Sequence, residues 1–232
     1  MADLVVIVPS RGRPGAVGEL VEAFEQTCTE VTTDLVFAVD GDDEFLSDYQ
    51  AAVRAYRGYG VLLTAAAPST MVATLNYAAG TLVADREPSA IGFMGDDHRP
   101  RTKGWDAAYL DALRDMGTGI VYGNDLLQRG NLPTQVAMTA DIIRTLGYMA
   151  PPGLTHLAVD NAWLALGQAA DCIRYLPDVV VEHRHPAAGK AAWDEGYQRV
   201  NSAEMYERDG AEFARWARED LPYAAAKVKA LR

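Results

Sequence analysis

The chain has 232 residues, 49% hydrophobic and 23% charged, a composition that suits one large α/β domain with a substantial core. Its 32 acidic against 21 basic residues leave a net charge of −11, and the first lysine is Lys103. A dense basic stripe is therefore missing, which disfavours a nucleic acid acceptor. The opening residues lack the pattern of a secretory leader and no stretch approaches the length of a membrane span, so the expected location is cytoplasmic. Cys28 and Cys172 stand far apart, outside any CxxC spacing, and read as reduced thiols in or near the core.

In chain order, Leu4–Val8 is an unbroken apolar run rich in β-branched residues, as in a parallel strand buried on both faces. Residues 9–15 form a loop by composition, and Val17, Leu20, Val21 and Phe24 carry helical spacing. Leu35–Val39 is a second buried strand, stopped by Asp40-Gly41-Asp42-Asp43, and a polar-faced helix spans roughly 44–56. Val61–Thr64 is a third strand. Ser69 or Thr70 can cap a helix that runs through Asn76 to about Ala84. Ala90–Met94 is the fourth strand, followed by a helix over about 104–116.

Further on, strands are expected at 120–122, 135–138, 172–176 and 179–182. Helices are expected at 142–146, capped by Asp141 and ended by Gly147, and at 159–166. The charged stretch from Trp193 to Arg218, with Tyr197, Tyr206, Phe213 and Trp216, reads as one or two helices packed on the domain, its aromatics as core contacts.

Strand–helix alternation of this kind predicts an α/β fold around a mainly parallel sheet. In such sheets ligands bind beyond the carboxyl ends of the strands, which places the loops at 9–15, 40–43 and 95–101 on one rim. The expected layout is a single domain over 1–190, in two halves over about 1–101 and about 102–190. A C-terminal helical extension follows at 191–232.

Several side chains on this rim carry chemistry. Asp96 and Asp97 are adjacent carboxylates at a strand end, which suits either a divalent cation that relieves their repulsion and also holds phosphate, or a solvated turn with local ion pairs. His98, Arg99 and Arg101 follow, the arginines as cations able to help hold phosphate oxygens. His183 and His185 end a later strand, two residues apart and so on one face, and imidazole suits Mn²⁺-type ions. Asp160 opens an apolar helix and can serve either as a first-turn residue or as a general base. Arg11 and Arg13 can pair with phosphate or stack on a base, and Asp40 can accept from a ribose hydroxyl or a base N–H. The first loop matches neither the GxGxxG nor the GxxxxGK[ST] pattern.

The order of these pieces resembles family 2-type glycosyltransferases of the GT-A fold over about 4–186. Val6-Ile7-Val8-Pro9-Ser10-Arg11 is similar to that family's first strand and nucleotide loop. Phe37–Asp42 resembles its second strand with the base-contacting Asp, and Asn76-Tyr77-Ala78-Ala79 its Asn-bearing helix. Phe93-Met94-Gly95-Asp96-Asp97 resembles its metal-binding, DXD-like acidic motif. Val159-Asp160 falls where the family carries its catalytic base, with Val159 in place of the usual acid. Pro177–His183 is similar to the strand that ends in a metal-ligand His.

The resemblance implies a three-layer sandwich and a metal-dependent transfer of a sugar from a UDP- or GDP-type donor to an acceptor hydroxyl, with inversion. In that scheme Pro9, Ser10, Arg11, Arg13, Asp40, Asn76 and Asp96 bind the nucleotide sugar. Asp97 with His183 or His185 binds Mn²⁺ or Mg²⁺, and Asp160 is the base. A retaining transferase and a nucleotidyltransferase of similar fold are the alternatives. The latter usually has a Gly-rich first loop followed by a lysine, which this chain lacks.

Overall fold

Each apolar run forms a strand because its residues feed two cores at once. In β1 (Leu4–Ser10), Val5 and Ile7 pack into one cluster while Leu4, Val6 and Val8 pack into another on the opposite face. β2 (Thr33–Asp40) splits in the same way, Val36 and Ala38 against Leu35, Phe37 and Val39. The computed structural model describes residues 3–29, 33–56, 60–65, 69–190, 193 and 195–232.

The helices α1 (Pro14–Thr27), α2 (Leu46–Ala55) and α4 (Trp105–Met116) cover one face of the sheet. The other face is covered by α3 (Met71–Asp85), α5 (Ala140–Leu146), α6 (Val159–Ala169), α8 (Ala203–Glu219) and α9 (Leu221–Lys229). The result is the expected three-layer sandwich. Thr70 caps α3, its Oγ1 accepting from the Ala73 amide at 3.1 Å. Cys172 is buried and Cys28 partly so, both unpaired.

The remaining strands are β3 (Gly60–Ala65), β4 (Ala90–Phe93), β5 (His98–Pro100), β6 (Ile120–Asn124), β7 (Val136–Thr139) and β8 (Ile173–His183). They lie in the order β3-β2-β1-β4-β7-β6-β8-β5. β1, β2, β3 and β4 run parallel, β7 is antiparallel to both β4 and β6, and β8 is parallel to β6. From β1 the chain steps outward to β2 and β3, then returns to lay β4 on β1's other side. The crevice at such a reversal is where an open α/β sheet binds its ligands.

The structure corrects three expectations. The two short strands foreseen at 172–176 and 179–182 are one strand, β8, with a register irregularity opposite Gly123 and Asn124. A Cβ on Gly123 would meet the Val179 carbonyl at 2.4 Å, so only glycine lets β8 cross this closely. α5 begins at Ala140, which puts Asp141 inside the first turn rather than at the cap; its Oδ2 accepts from Thr118 at 2.6 Å. The stretch from Trp193 to Arg218 forms two helices, within the one or two expected, α7 (Glu195–Val200) and α8, and α9 follows.

The third correction is β5. Residues 98–100 form a short strand, antiparallel to β8, with His98 opposite His183. Arg99 is buried within it and holds the structure together instead of facing phosphate. Its guanidinium donates to the carbonyls of Asp96 (2.7 Å), His98 (2.7 Å) and Ala16 (3.1 Å) and pairs with Glu19 at 3.0 Å. Arg101 is likewise engaged, its fork on Glu182 at 2.7 and 2.9 Å. Arg99→Met strands buried carbonyls, so unfolding stability should fall by about 3 kcal/mol, read as a lower urea midpoint at unchanged m-value.

Candidate active site

The site begins with the pairing of β5 and β8. Because His98 faces His183 across the ladder, the residue before β5, Asp97, meets the end of β8. The Arg184 amide donates to the Asp97 carbonyl at 2.9 Å, and His183 Nε2 lies 3.1 Å from Asp97 Oδ2. The two imidazoles stack, with ring centroids 4.3 Å apart and planes 16° apart. Gly95 makes room: a Cβ there would lie 2.6 Å from Asp97 Oδ1.

Asp97, His98 and His183 form the group that could hold a metal ion among the described residues. Burial alone would raise the Asp97 pKa, but His183 and then His98 hold it well below the usual range, so it is a carboxylate. His183 is pushed down by burial, yet its hydrogen bond to Asp97 wins and its pKa is raised. Its Nδ1 is buried with no hydrogen-bond partner. An imidazole with one nitrogen on a carboxylate and the other buried without a partner fits a divalent-cation site. His98 plays a supporting part, its Nδ1 accepting from the Gly95 amide at 3.0 Å. Of the two histidines on the strand end, His183 and not His185 reaches this cluster; the His185 ring packs edge-on against His183 at 5.2 Å.

Asp96 turns the other way, toward the end of β1. It accepts from Ser10 Oγ at 2.6 Å and pairs with Arg13 at 3.0 Å. Burial pushes its pKa up to about 6 against the pull of Arg13. Ser10 also meets the Tyr49 hydroxyl at 2.9 Å, and the same hydroxyl accepts from the Arg13 amide at 2.8 Å. Arg11 reaches across to Asp40 at 2.5 Å and Asp42 at 2.7 Å. The three loops assigned to one rim are thus joined by direct hydrogen bonds.

Most of these residues line one cleft of about 1030 Å³. Its lining includes Pro9, Ser10, Arg11, Arg13, Asp40 and Asp96, with Asp97, His183 and His185. Asp160 lines the same cleft, with Thr155, His156 and Asn161. Its Oδ1 accepts from the Asn161 amide at 2.9 Å, and burial raises its pKa. Asn76 is not brought to the cleft. Its carbonyl oxygen accepts from the amides of Met149 and Ala150, each at 2.9 Å, and its amide donates back to the Ala150 carbonyl at 2.8 Å. It clamps a loop.

Three residues important to the site have no marker in the sequence. Asp125 is buried at the end of β6, where its Oδ1 accepts from the amides of Leu127, Gln128 and Arg129 and its Oδ2 from Thr134 Oγ1. It thereby folds residues 125–134 against the cleft. Asp209, fully buried in α8, accepts from the amides of Thr155, His156 and Leu157 at 3.1, 2.8 and 2.7 Å. Those bonds hold the approach to α6, where Ala158 sits at φ 61°, a left-handed conformation that costs about 1–2 kcal/mol in a non-glycine residue. Tyr197 in α7 donates its hydroxyl to Asp97 Oδ2 at 2.7 Å. Burial, reinforced by the Asp97 charge, raises its pKa, so it remains a donor. The C-terminal helices are therefore part of the cleft wall, and Tyr197, Tyr206 and Phe213 face it instead of serving only as core contacts.

No family model matches this sequence, and no curated protein does. Solved structures do. The mannosyltransferase PcManGT from Pyrobaculum calidifontis, in complex with GDP-Man and Mn²⁺, superposes with a TM-score of 0.64 at 15% identity over 99% of this chain and 73% of that one. Residues 1–349 of TarS from S. aureus give 0.58 at 14% identity, over 78% of this chain and 59% of theirs. Glucosyl-3-phosphoglycerate synthase from Mycobacterium tuberculosis, in complex with Mn²⁺, UDP and glucosyl-3-phosphoglycerate, gives 0.53 at 12% identity over 90% and 80%. With its strand order and rim, the chain has the GT-A fold of the nucleotide-diphospho-sugar transferases.

Proposed function

We propose that this protein is a metal-dependent glycosyltransferase that moves a sugar from a UDP- or GDP-type donor to an acceptor hydroxyl with inversion. The observation that carries this reading is the meeting of Asp97 with His183 in a cleft that Asp160 also lines. Structural neighbours that were solved with GDP-Man or with UDP, each with Mn²⁺, support the same donor chemistry.

In this reading the nucleotide lies over the first loop, with Asp40 toward its base or ribose and Arg13 and Ser10 holding Asp96 toward the ribose or sugar. Asp97 and His183 would hold Mn²⁺ or Mg²⁺, which when bound supplies Lewis-acid stabilisation of charge on the leaving diphosphate. Asp160 is the general base. Its burial raises its proton affinity toward working pH, which favours proton transfer from an acceptor hydroxyl. As Asp160 takes that proton, the acceptor oxygen bonds to the anomeric carbon and the nucleoside diphosphate departs from the opposite face. Among the described residues no helix is long and apolar enough to cross a membrane.

Asp160→Asn removes the base while keeping the shape. Turnover of the cognate nucleotide sugar should fall by about 10²–10⁴-fold with donor affinity retained, and unchanged turnover would rule out Asp160 as the base. Gly95→Ala drives a methyl group into the Asp97 carboxylate. Mn²⁺ affinity by calorimetric titration should weaken by about tenfold or more while the folded content by circular dichroism is kept; wild-type affinity would show that the carboxylate does not need this space.

A further inference from the structure

Tyr197 links the two halves of the donor site through one side chain. Its hydroxyl is 2.7 Å from Asp97 Oδ2, the oxygen that also takes His183 Nε2 at 3.1 Å. The Arg13 guanidinium lies over its ring, 4.2 Å from the centroid, and the same guanidinium pairs with Asp96 at 3.0 Å. The ring is further bounded by His185, edge-on at 5.3 Å, and by Trp193 at 6.2 Å. Only 6% of Tyr197 is exposed, so these contacts leave the phenol little freedom to turn.

With Tyr197 and His183 both on Oδ2, the Asp97 carboxylate is fixed in rotation. Its Oδ1 has a 3.3 Å contact with His98 Nδ1. Groups that hydrogen-bond a coordinating carboxylate fix its plane and its basicity, and their loss typically costs about 10–100-fold in metal affinity.

We infer that Tyr197 is a positioning residue for the divalent-cation site, with its hydroxyl holding Asp97 in the orientation that receives the ion. The cation site therefore extends into the C-terminal helices, and α7 must be docked for the ion to bind tightly. This rests on the metal-dependent reading given above. Tyr197 touches neither the reacting atoms nor the ion; it acts through Asp97.

The test is Mn²⁺ titration of the full chain by calorimetry, comparing wild type with Tyr197→Phe. This variant keeps the ring against Arg13 and His185 and removes only the hydroxyl. Mn²⁺ affinity should weaken by about tenfold or more, while the metal-free melting temperature stays within about 2 °C of wild type. Tyr197→Trp, which offers an N–H from a different position, should not restore affinity. Wild-type Mn²⁺ affinity in Tyr197→Phe overturns the role of Tyr197 and leaves the metal site standing. Failure of the wild-type chain to bind Mn²⁺ overturns both. A large drop in metal-free melting temperature with unchanged Mn²⁺ affinity assigns Tyr197 to packing alone and contradicts the inference.

Discussion

The site depends on a strand pairing only three residues long. β5 and β8 meet with His98 opposite His183, and this register is what presses Asp97 against an imidazole from the far end of the domain. Side chains alternate across a ladder, so a slip of one residue would turn His183 to the other face and leave Asp97 with no partner there. The register is held from outside the ladder as well. Arg99 ties β5 to α1, Arg101 pairs with Glu182 across the two strands, and the Arg184 amide closes on the Asp97 carbonyl. The parallel core places the rim, and this short antiparallel pair assembles the candidate cation site on it.

Buried carboxylates do much of the remaining positioning. A carboxylate taken out of water is costly unless donors surround it, and charge-assisted bonds from backbone amides are among the stronger ones available. Asp125 gathers three consecutive amides into the loop after β6, and Asp209 gathers three more ahead of α6. Both fix loops that line the cleft. Asp209 acts from a C-terminal helix, so the segment that reads as an extension supports the loop leading to Asp160. An acidic chain, with its excess of carboxylates, uses several of them to pin its own backbone.

Much of this architecture is legible in the residues. The parallel strands are visible as apolar runs because both faces of each are buried, and the rim follows from the order of strands and helices. Asp96, Asp97, Asp160 and His183 stand out because ionisable groups end apolar segments. What escapes is set by distance or by brevity. β5 is three residues containing an arginine and a proline, too short for any period to register. Tyr197 lies one hundred residues from its partner Asp97, and its aromatic character equally suits a core. Asp125 and Asp209 look like any surface acid until the amides they collect are known. Asn76 is singled out by the resemblance of its helix alone, whereas it satisfies two backbone amides of a neighbouring loop.

The central claim is that Asp97 and its histidine partners form a cation site which completes a nucleotide-diphosphate pocket. The most direct measurement is the thermal stability of the wild-type chain with UDP and with GDP, each with and without Mn²⁺. The account predicts that at least one of the two nucleotides stabilises the protein strongly only when Mn²⁺ is present, by about 2.7 kcal/mol at a hundredfold excess over the dissociation constant. Equal stabilisation without metal, or none by either nucleotide with it, would contradict the account.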